Sequence, residues 1–341
     1  MSRRLLAINP VDHPGGAETT LMRLLSGLAV RDWEITVTTP GRGALSSAVE
    51  LAGYNWQPLP LGGIGARQGT RAVVSFPRVR TLAAQADVVY LNGAVTGRAL
   101  PALASAQRTV LHIHDMVRRV PRIWQLADVV LAASGAVAAR LAGLDAEVVY
   151  PPVELHPPLA DAPWKAGGGL LVGFVGRIEP RKGVLDLVQA TPAIRAAVPN
   201  VRVVIVGDDP YRTTPRYMRE VLASAADEGI EHIGWIDNAP GVMRHLDVLV
   251  LPSYEEPGGT VLAEAMAVGT PVVATAVDGL PEVVRDGKVG RLVPSGDPVA
   301  LAAAVVEVLG KRIAMGEAAR EWAQQFGIGS YVERVERLLS A

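Results

Sequence analysis

The sequence contains no cysteine, and this absence excludes two kinds of site. Without thiols the chain can form neither a disulfide framework nor a thiolate metal centre. No stretch approaches about 18 uninterrupted apolar residues, the length needed for a membrane-spanning helix. The N-terminal MSRRLLAIN has only a short apolar run before Asn9, too short for a signal peptide. We therefore expect a protein of the reducing cytoplasm.

Net charge is also nearly absent, at −1 over 341 residues. With 49% hydrophobic and 20% charged residues, the composition excludes a disordered chain and a protein that coats nucleic acid, and the length allows two domains. Residues 1–155 hold 15 basic and 11 acidic residues, a balance of +4, which leaves −5 for the remainder. A mildly basic first half could face an anionic acceptor or the inner face of a membrane, although ordinary surface variation explains four charges equally well.

The most informative stretch is DVLVLPSYEEPGGTVLAEAMAVGTPVVAT, residues 247–275. It predicts a strand that ends before Pro252, a glycine-bearing loop, a helix over Thr260–Val268, and a second strand over Val272–Ala274. Every helical residue after Thr260 is apolar except Glu264. Because a helix that is apolar on all sides is normally buried, the carboxylate of Glu264 requires a partner.

A second carboxylate, Glu256, lies in the loop before this helix. The backbone of Gly258 and Gly259 can approach a ligand closely, and the N–H groups at the helix start favour an anion such as phosphate. Two carboxylates flanking an anion site suit a nucleotide sugar, which has hydroxyls on both sides of a pyrophosphate. The structural alternative is that Glu256 caps the helix and Glu264 closes a core ion pair.

The pair of glutamates eight positions apart, within PSYEEPGGTVLAEAMAVGTPVVAT, resembles the donor-site signature of family four of the retaining glycosyltransferases. The resemblance implies the GT-B fold, in which two Rossmann-like α/β domains have parallel sheets facing a central cleft. It implies donor contacts from Glu256, Glu264, Gly259, Thr260 and Val261. Gly258 departs from the family, which usually has an aromatic residue there.

The segment LLVGFVGRIEPRKGVLDLVQA predicts a strand, a loop and a helix, with Arg177 and Lys182 flanking the turn. A guanidinium fork and a compact ammonium both suit phosphate oxygens, although two solvated loop cations are the structural alternative. VGRIEPRKG resembles the phosphate-binding loop of the family, which adds Gly176 to the donor contacts. We expect Arg177 and Lys182 to hold the leaving diphosphate, and their replacement by alanine to slow turnover while the fold persists.

The first half alternates strands with helices, which predicts a parallel sheet covered on both faces. The expected strands are Leu5–Ile8, Glu34–Thr38, Val88–Leu91, Val110–His114 and Val129–Ala132. A helix over Ala17–Leu28 follows a Gly15-Gly16 pair, which either meets a phosphate or makes a tight turn.

Two further motifs of this half carry the resemblance. PGGAETTLMRLLSGL resembles the first glycine loop of the family, which implies that Gly16 approaches the donor. His112 and His114 lie two apart on one strand and so face the same side. HIHD resembles a strand-end motif of the family, which implies that His114 contacts a sugar, while His112 is structural. Surface arginines near this point, among them Arg67, Arg71, Arg118, Arg119 and Arg122, are solvated by default, with phosphate or headgroup binding as the alternative.

A linker rich in Pro, Gly and Ala over 156–169 separates two expected domains. Residues 1–155, joined by a helix from about 320 to 341, would bind the acceptor, and residues 168–315 the nucleotide sugar. The resemblance to the family implies that Ile236 contacts the nucleotide base. Two positions depart from the family pattern: Asp209 adds a charge near the base, and Asp278 replaces a glycine that is common in the family. Two helices are expected to begin at Pro298 and Ala314.

The expected function is a retaining hexosyltransferase that moves a sugar from a UDP- or GDP-type donor to a hydroxyl of a small-molecule, glycan or lipid-linked acceptor. We expect no metal and no cofactor, because the proposed phosphate loops carry two fixed cations but no Asp-x-Asp or His-rich cluster. A GT-B epimerase or phosphorylase, or a sugar-nucleotide-binding protein without chemistry, would use the same residues.

Overall fold

The computed structural model describes residues 2–13, 15–62, 69–103 and 107–340, except for the side chains of residues 69–71. The chain divides into two compact units, one formed by residues 1–152 with 328–341 and the other by residues 153–327. Each unit has its own parallel sheet.

The first unit is built on a seven-stranded parallel sheet with the order β3-β2-β1-β4-β5-β6-β7. Leu5 to Ile8 of its central strand are at most 1% exposed, as expected where both faces of a sheet are covered. The strands are β1 (Arg3–Ile8), β2 (Trp33–Thr39), β3 (Asn55–Pro58), β4 (Val88–Asn92), β5 (Arg108–Ile113), β6 (Val129–Ala132) and β7 (Ala146–Val148). The helices are α1 (Gly16–Ala29), α2 (Ala44–Leu51), α3 (Gly69–Val74), α4 (Phe76–Ala83) and α5 (Gly135–Ala139), with 3₁₀ segments at Ala94–Ala102 and Arg122–Leu126.

The second unit has a six-stranded parallel sheet with the order β10-β9-β8-β11-β12-β13. Its strands are β8 (Leu171–Val175), β9 (Arg202–Val206), β10 (Glu231–Gly234), β11 (Val248–Leu251), β12 (Val272–Thr275) and β13 (Gly290–Val293). Its helices are α6 (Val184–Ala197), α7 (Pro215–Asp227), α8 (Ala239–Met243), α9 (Thr260–Ala267), α10 (Leu280–Val283) and α11 (Pro298–Ala323).

The expectation that a separate helix begins at Ala314 is wrong, because α11 is one helix of 26 residues. Asp297 starts it by accepting the N–H of Ala300 at 2.9 Å. Gly310 is exposed and costs the helix about 1 kcal/mol without breaking it. The Glu307–Lys311 ion pair, 2.9 Å long, spans that glycine.

The next helix, α12 (Ile328–Ser340), belongs to the first unit. Its apolar face packs in the same core cluster as α1 and the first sheet. A Cβ added to Gly27 of α1 would lie 2.4 Å from Val332 of α12, so the two helices approach closely only because residue 27 is glycine. Glu336 of α12 accepts hydrogen bonds from Trp33 at 2.9 Å and Arg31 at 2.8 Å.

Both sheets reverse their winding direction at one place. Numbered within its own unit, each has the order 3-2-1-4-5-6, which is the doubly wound arrangement, and the first sheet adds a seventh strand at its end. The reversal lies between β1 and β4 in the first unit and between β8 and β11 in the second. Ligands of such sheets bind outside the carboxyl ends of the strands at this point.

Candidate donor site

Two loops of the second unit touch at its reversal point, the loop after β8 (residues 176–183) and the loop after β11 (residues 252–259). The N–H of Tyr254 donates to the carbonyl of Arg181 at 2.7 Å. Gly183 has φ of +62°, and a Cβ on it would lie 2.0 Å from the carbonyl oxygen of Pro252. Glycine is therefore required at position 183 for the loops to meet.

This contact brings together two of the predicted site residues, Lys182 and Glu256. The Lys182 ammonium donates to Glu256 Oε2, and the two residues are only 9% and 8% exposed. Burial alone would raise the pKa of Glu256. The charge and hydrogen bond of Lys182, helped by Arg181 and the N–H of Gly259, outweigh burial and hold that pKa below its ordinary value. Glu256 is therefore ionised at neutral pH and also satisfies an N–H at the start of α9.

Arg177 and Arg181 share a single carboxylate. Glu179 Oε1 lies 3.4 Å from Arg177 Nη2 and 2.7 Å from Arg181 Nη2. The Arg177 guanidinium also stands over the ring of Tyr211, 5.7 Å from its centroid. Over both loops the three cations Arg177, Arg181 and Lys182 are matched by the three carboxylates Glu179, Glu255 and Glu256, so the pair of loops has no net charge. Sequence reasoning missed Arg181, whose only signal is its place in the dibasic pair beside Lys182.

Glu264 lies in the middle of α9 and is half-buried. Its neighbours Leu262, Ala263, Ala265 and Met266 are buried, as predicted. The expectation of burial on all sides is wrong for one face of the helix, because Val261, Glu264 and Val268 share helical spacing and are all half-buried. The single acidic residue of α9 is therefore on its least covered face, which also contains Val261.

Asp278 has φ of +43°, a left-handed backbone conformation that glycine adopts without steric cost. Its Oδ2 accepts the N–H of Glu256 at 3.0 Å. The carbonyl of Glu256 in turn accepts the N–H of Gly279 at 3.1 Å. The aspartate thus compensates for an unfavourable backbone conformation by holding the Glu256 loop.

Asp278→Ala should reduce the free energy of unfolding by about 2 to 3 kcal/mol, because alanine keeps the left-handed backbone and loses the hydrogen bond to Glu256. Asp278→Asn is the matched control, since asparagine tolerates this conformation and retains an acceptor oxygen, and it should cost less than about 1 kcal/mol. Urea unfolding of both variants checks this. Equal losses would show that the Glu256 hydrogen bond does not stabilise the loop.

Two further predicted residues, Asp209 after β9 and Ile236 after β10, lie at the same end of the sheet as Gly176 after β8. Gly176 and Gly207 are in such close contact that a Cβ on Gly207 would lie 1.8 Å from the Gly176 carbonyl oxygen. Ile236 is half-buried just after β10. Asp209 accepts the N–H of Thr214 at 2.6 Å and of Thr213 at 3.1 Å. Burial would raise its pKa, but these bonds lower it, so the charge of Asp209 holds the turn before α7.

In the first unit, Gly16 begins α1 beside open space, since an added Cβ would meet nothing within 4 Å. Glu18 in the same turn is 7% exposed. Burial raises its pKa, although the N–H groups of Gly15 and Glu18 itself donate to its carboxylate. The carboxylate of Glu18 therefore already accepts hydrogen bonds from N–H groups at the start of α1. The Gly15-Gly16 pair in the sequence did not indicate this.

His112 and His114 lie on one side of the first sheet, as predicted, with ring centroids 3.9 Å apart. His112 is fully buried, and its Nδ1 is 2.5 Å from the hydroxyl of Tyr90. His114 is half-buried just beyond β5, and its Nε2 lies 2.8 Å from Asn92 Oδ1. Burial lowers the pKa of His114 to about 3, so this imidazole is neutral at neutral pH. Sequence reasoning did not identify Asn92.

The arginines Arg118, Arg119 and Arg122 are exposed. Arg67 lies outside the described residues, as does the side chain of Arg71. No helix in the described part of the chain is long and apolar enough to cross a membrane. Within the same residues, no group of three or more acidic or histidine side chains could hold a metal ion.

Known families match the chain over both units. The model of glycosyl transferases group 1 matches residues 169–311, and the model of glycosyltransferase family 4 matches residues 14–156. The phosphatidyl-myo-inositol mannosyltransferase of Mycobacterium leprae is 33% identical over 325 residues, covering 87% of this chain and 84% of that protein. The D-inositol 3-phosphate glycosyltransferase of Corynebacterium glutamicum is 40% identical over 171 residues, which are 46% of this chain and 40% of that protein.

Solved structures agree in fold. HepE of Anabaena, solved with UDP and glucose, has a TM-score of 0.80 at 23% identity and 99% coverage of both chains. Sucrose-phosphate synthase of Thermosynechococcus elongatus has a TM-score of 0.81 at 23% identity, with 99% of this chain and 98% of that chain covered. The predicted two-domain α/β GT-B fold is confirmed. The expected glycosyltransferase function is also confirmed, and an epimerase, a phosphorylase or a non-catalytic binder is not favoured. This chain belongs to the family 4 type of glycosyltransferases.

Proposed function

We propose that this glycosyltransferase takes its sugar from a nucleoside diphosphate sugar bound to the unit of residues 153–327. The observation that supports this most strongly is the convergence of Arg177, Arg181 and Lys182 with the start of α9 at the reversal point of the sheet. Oriented cations and the N–H groups of a helix start suit a diphosphate. HepE, which shares the fold, was solved with UDP and with UDP-glucose.

The roles of the residues follow from the charges that develop during transfer. When the bond between sugar and phosphate stretches, negative charge builds on the diphosphate, and fixed positive groups stabilise it without reorganising. Arg177 and Lys182 would hold that group, with Gly259 and Thr260 at the helix start. Glu256 would orient sugar hydroxyls, Glu264 would accept from the ribose hydroxyls, and Gly176, Ile236 and Val261 would contact the nucleotide.

We propose retention of configuration, with the acceptor hydroxyl approaching on the face from which the diphosphate leaves. No carboxylate is assigned as a nucleophile. Glu256 already pairs with the cation proposed for the phosphate, so it is poorly placed to attack carbon. Determining the anomeric configuration of the product by NMR tests this assignment.

We propose that the acceptor is a hydroxyl compound, small or lipid-linked, bound by the unit of residues 1–152 near Gly16, His114 and Arg118. The relatives named above act, by their names, on phosphatidyl-myo-inositol and D-inositol 3-phosphate. Cyclitols and their phosphates and lipids are therefore the acceptors to test first. Peripheral contact with a membrane is part of the proposal, since three exposed arginines, Arg118, Arg119 and Arg122, precede Leu126 in the sequence by at most eight residues, and Leu126 is 57% exposed.

A thermal-shift screen with UDP, GDP and their sugars, followed by transfer assays, tests the donor class. A nucleotide at 100 times its Kd should stabilise the protein by about 2.7 kcal/mol, because it binds only the folded state. An unchanged Tm with every nucleoside diphosphate would refute the proposal. Hydrolysis of the donor sugar without acceptor separates an enzyme from a binder.

Glu264→Gln should weaken binding of the nucleotide by about 1.5 to 3 kcal/mol, the range for hydrogen bonds to a charged group. Calorimetric titration measures this. Glu317→Gln, on α11, is the matched control and should leave the affinity unchanged. Unchanged affinity with a lower Tm in Glu264→Gln would instead support a purely structural ion pair for Glu264.

Transfer should persist after treatment with EDTA, because arginine and lysine side chains neutralise the diphosphate in this proposal. The measurement is the initial rate before and after chelation, with dialysis to remove the chelate. Loss of activity with rescue by magnesium or manganese would show that the charge-neutralising groups are assigned wrongly.

A further inference from the structure

Two buried asparagines at the reversal point of the first sheet form a hydrogen-bond chain that ends on His114. Asn9 directly follows β1 and is 0% exposed, and Asn92 ends β4 and is 1% exposed. Neither asparagine has a role in the proposed function above. Buried amides of this kind are costly unless every polar atom is satisfied, so their orientation is strongly determined.

The direction of this chain is set by backbone carbonyls, which can only accept. Asn9 Nδ2 donates to the carbonyl of Val11 at 2.8 Å, which turns Asn9 Oδ1 towards Asn92. Asn92 Nδ2 donates to that oxygen at 2.7 Å and approaches the carbonyl of Ala17 at 3.5 Å. The remaining atom, Asn92 Oδ1, therefore faces His114 Nε2, 2.8 Å away. Because Oδ1 is an acceptor, Nε2 must hold the proton.

We propose that Asn9 and Asn92 are positioning residues that keep His114 in the Nε2-protonated tautomer and so make Nδ1 a permanent hydrogen-bond acceptor. A group recognised by Nδ1 must then be a donor. A substrate hydroxyl fits this requirement, whereas a phosphate or carboxylate, which only accepts when ionised, does not. That the hydroxyl belongs to the acceptor rests on the proposed function. The tautomer itself does not.

The surroundings of His114 support a neutral acceptor. Burial keeps the ring unprotonated at neutral pH, as described above. His112, stacked beside it, is also held neutral by burial, with its Nδ1 engaged by Tyr90. His114 can therefore act neither as a general acid nor as a fixed cation near neutral pH.

Nitrogen-15 NMR of the full chain with labelled histidines tests the inference without substrate. The chain has six histidines, and His114→Gln identifies the resonance of His114. His232 and His245 provide internal standards, because each Nε2 lies within 2.9 Å of a backbone carbonyl oxygen and must carry the proton. We expect His114 to match these two standards. An Nδ1-protonated ring, or an even mixture, overturns the proposal.

Two variants separate positioning from mere packing. Asn9→Ala frees the amide of Asn92 to rotate, so the Nδ1-protonated tautomer should appear while the standards are unchanged. Asn92→Asp keeps an acceptor oxygen at Nε2, so the tautomer should persist, and the new carboxylate should raise the pKa of His114 by about 1 to 3. An unchanged tautomer in Asn9→Ala, or an unchanged pKa in Asn92→Asp, contradicts the chain of contacts.

myo-Inositol, which carries hydroxyls only, and inorganic phosphate serve as ligand probes for the hydroxyl. The Nδ1 resonance should move with myo-inositol and stay in place with phosphate. No response to myo-inositol, or an equal response to phosphate, would refute recognition of a hydroxyl. If the resonance responds to myo-inositol but sugar transfer fails, the proposed function is wrong, while the tautomer result stands on its own measurement.

Discussion

Arg177→Ala is expected to lower kcat by roughly 10² to 10³, the usual cost of losing one preorganised group that stabilises developing charge. The fold should be unaffected, because the Arg177 side chain is 36% exposed and shares its carboxylate with Arg181. Steady-state transfer rates and urea unfolding of the same preparation measure both quantities.

The matched control is Arg219→Ala, an exposed arginine on α7 of the same unit. It should change neither kcat nor the free energy of unfolding appreciably, since surface substitutions usually change the stability by no more than about 0.5 kcal/mol. A folded Arg177→Ala enzyme that transfers sugar at the wild-type rate would remove Arg177 from the mechanism.

Lys182→Ala is expected to destabilise the protein by about 3 to 5 kcal/mol, because it leaves the Glu256 carboxylate buried without its partner. This revises the expectation from sequence that the fold persists, since a solvated loop lysine would have no such effect. The double variant Lys182→Met/Glu256→Gln should recover most of the lost stability and none of the activity. Urea unfolding and transfer assays of both variants provide the test. If the single variant is as stable as wild type, the buried pair is not a structural element.

The pH dependence of stability distinguishes loss of the Lys182–Glu256 ion pair from a simple loss of packing. The pKa of Glu256 is lowered in the folded protein, so its stabilising contribution is present above about pH 4.5 and is lost as the pH falls through the folded value. In Lys182→Ala burial acts largely unopposed and favours the protonated carboxyl. The stability difference between wild type and variant should therefore be largest near pH 7 and shrink on acidification. A difference that does not vary with pH would indicate lost packing alone.

Local patterns predicted the elements well. The strand over Val129–Ala132 agrees residue for residue with β6, and α9 and α1 end within two residues of their expected limits. Buried parallel strands and glycine-bounded helices have strong local signals, because burial on both faces requires continuous apolar runs. The helix expected at Ala314 failed because an exposed glycine such as Gly310 weakens a helix without ending it.

The candidate site was predicted as a set of residues and not as a set of contacts. Lys182 and Glu256 were each identified, but their pairing depends on which loops meet, and residues 74 apart have no spacing rule. The strand order supplies that information, because the loops after the first and fourth strands of each unit are neighbours at the reversal point. Asn9 and Asn92 escaped notice for the same reason.

The membership of α12 in the first unit has a consequence for biosynthesis. Residues 1–152 emerge from the ribosome well before residues 328–340, yet they share one core through Gly27 and Val332. Until α12 is translated, the part of α1 around Gly27 that packs on Val332 has no cover, while the unit of residues 153–327 contains all of its own strands and helices. The unit of residues 153–327 therefore needs no segment from outside it to close its core, whereas the half that is made first must wait for residues 328–340.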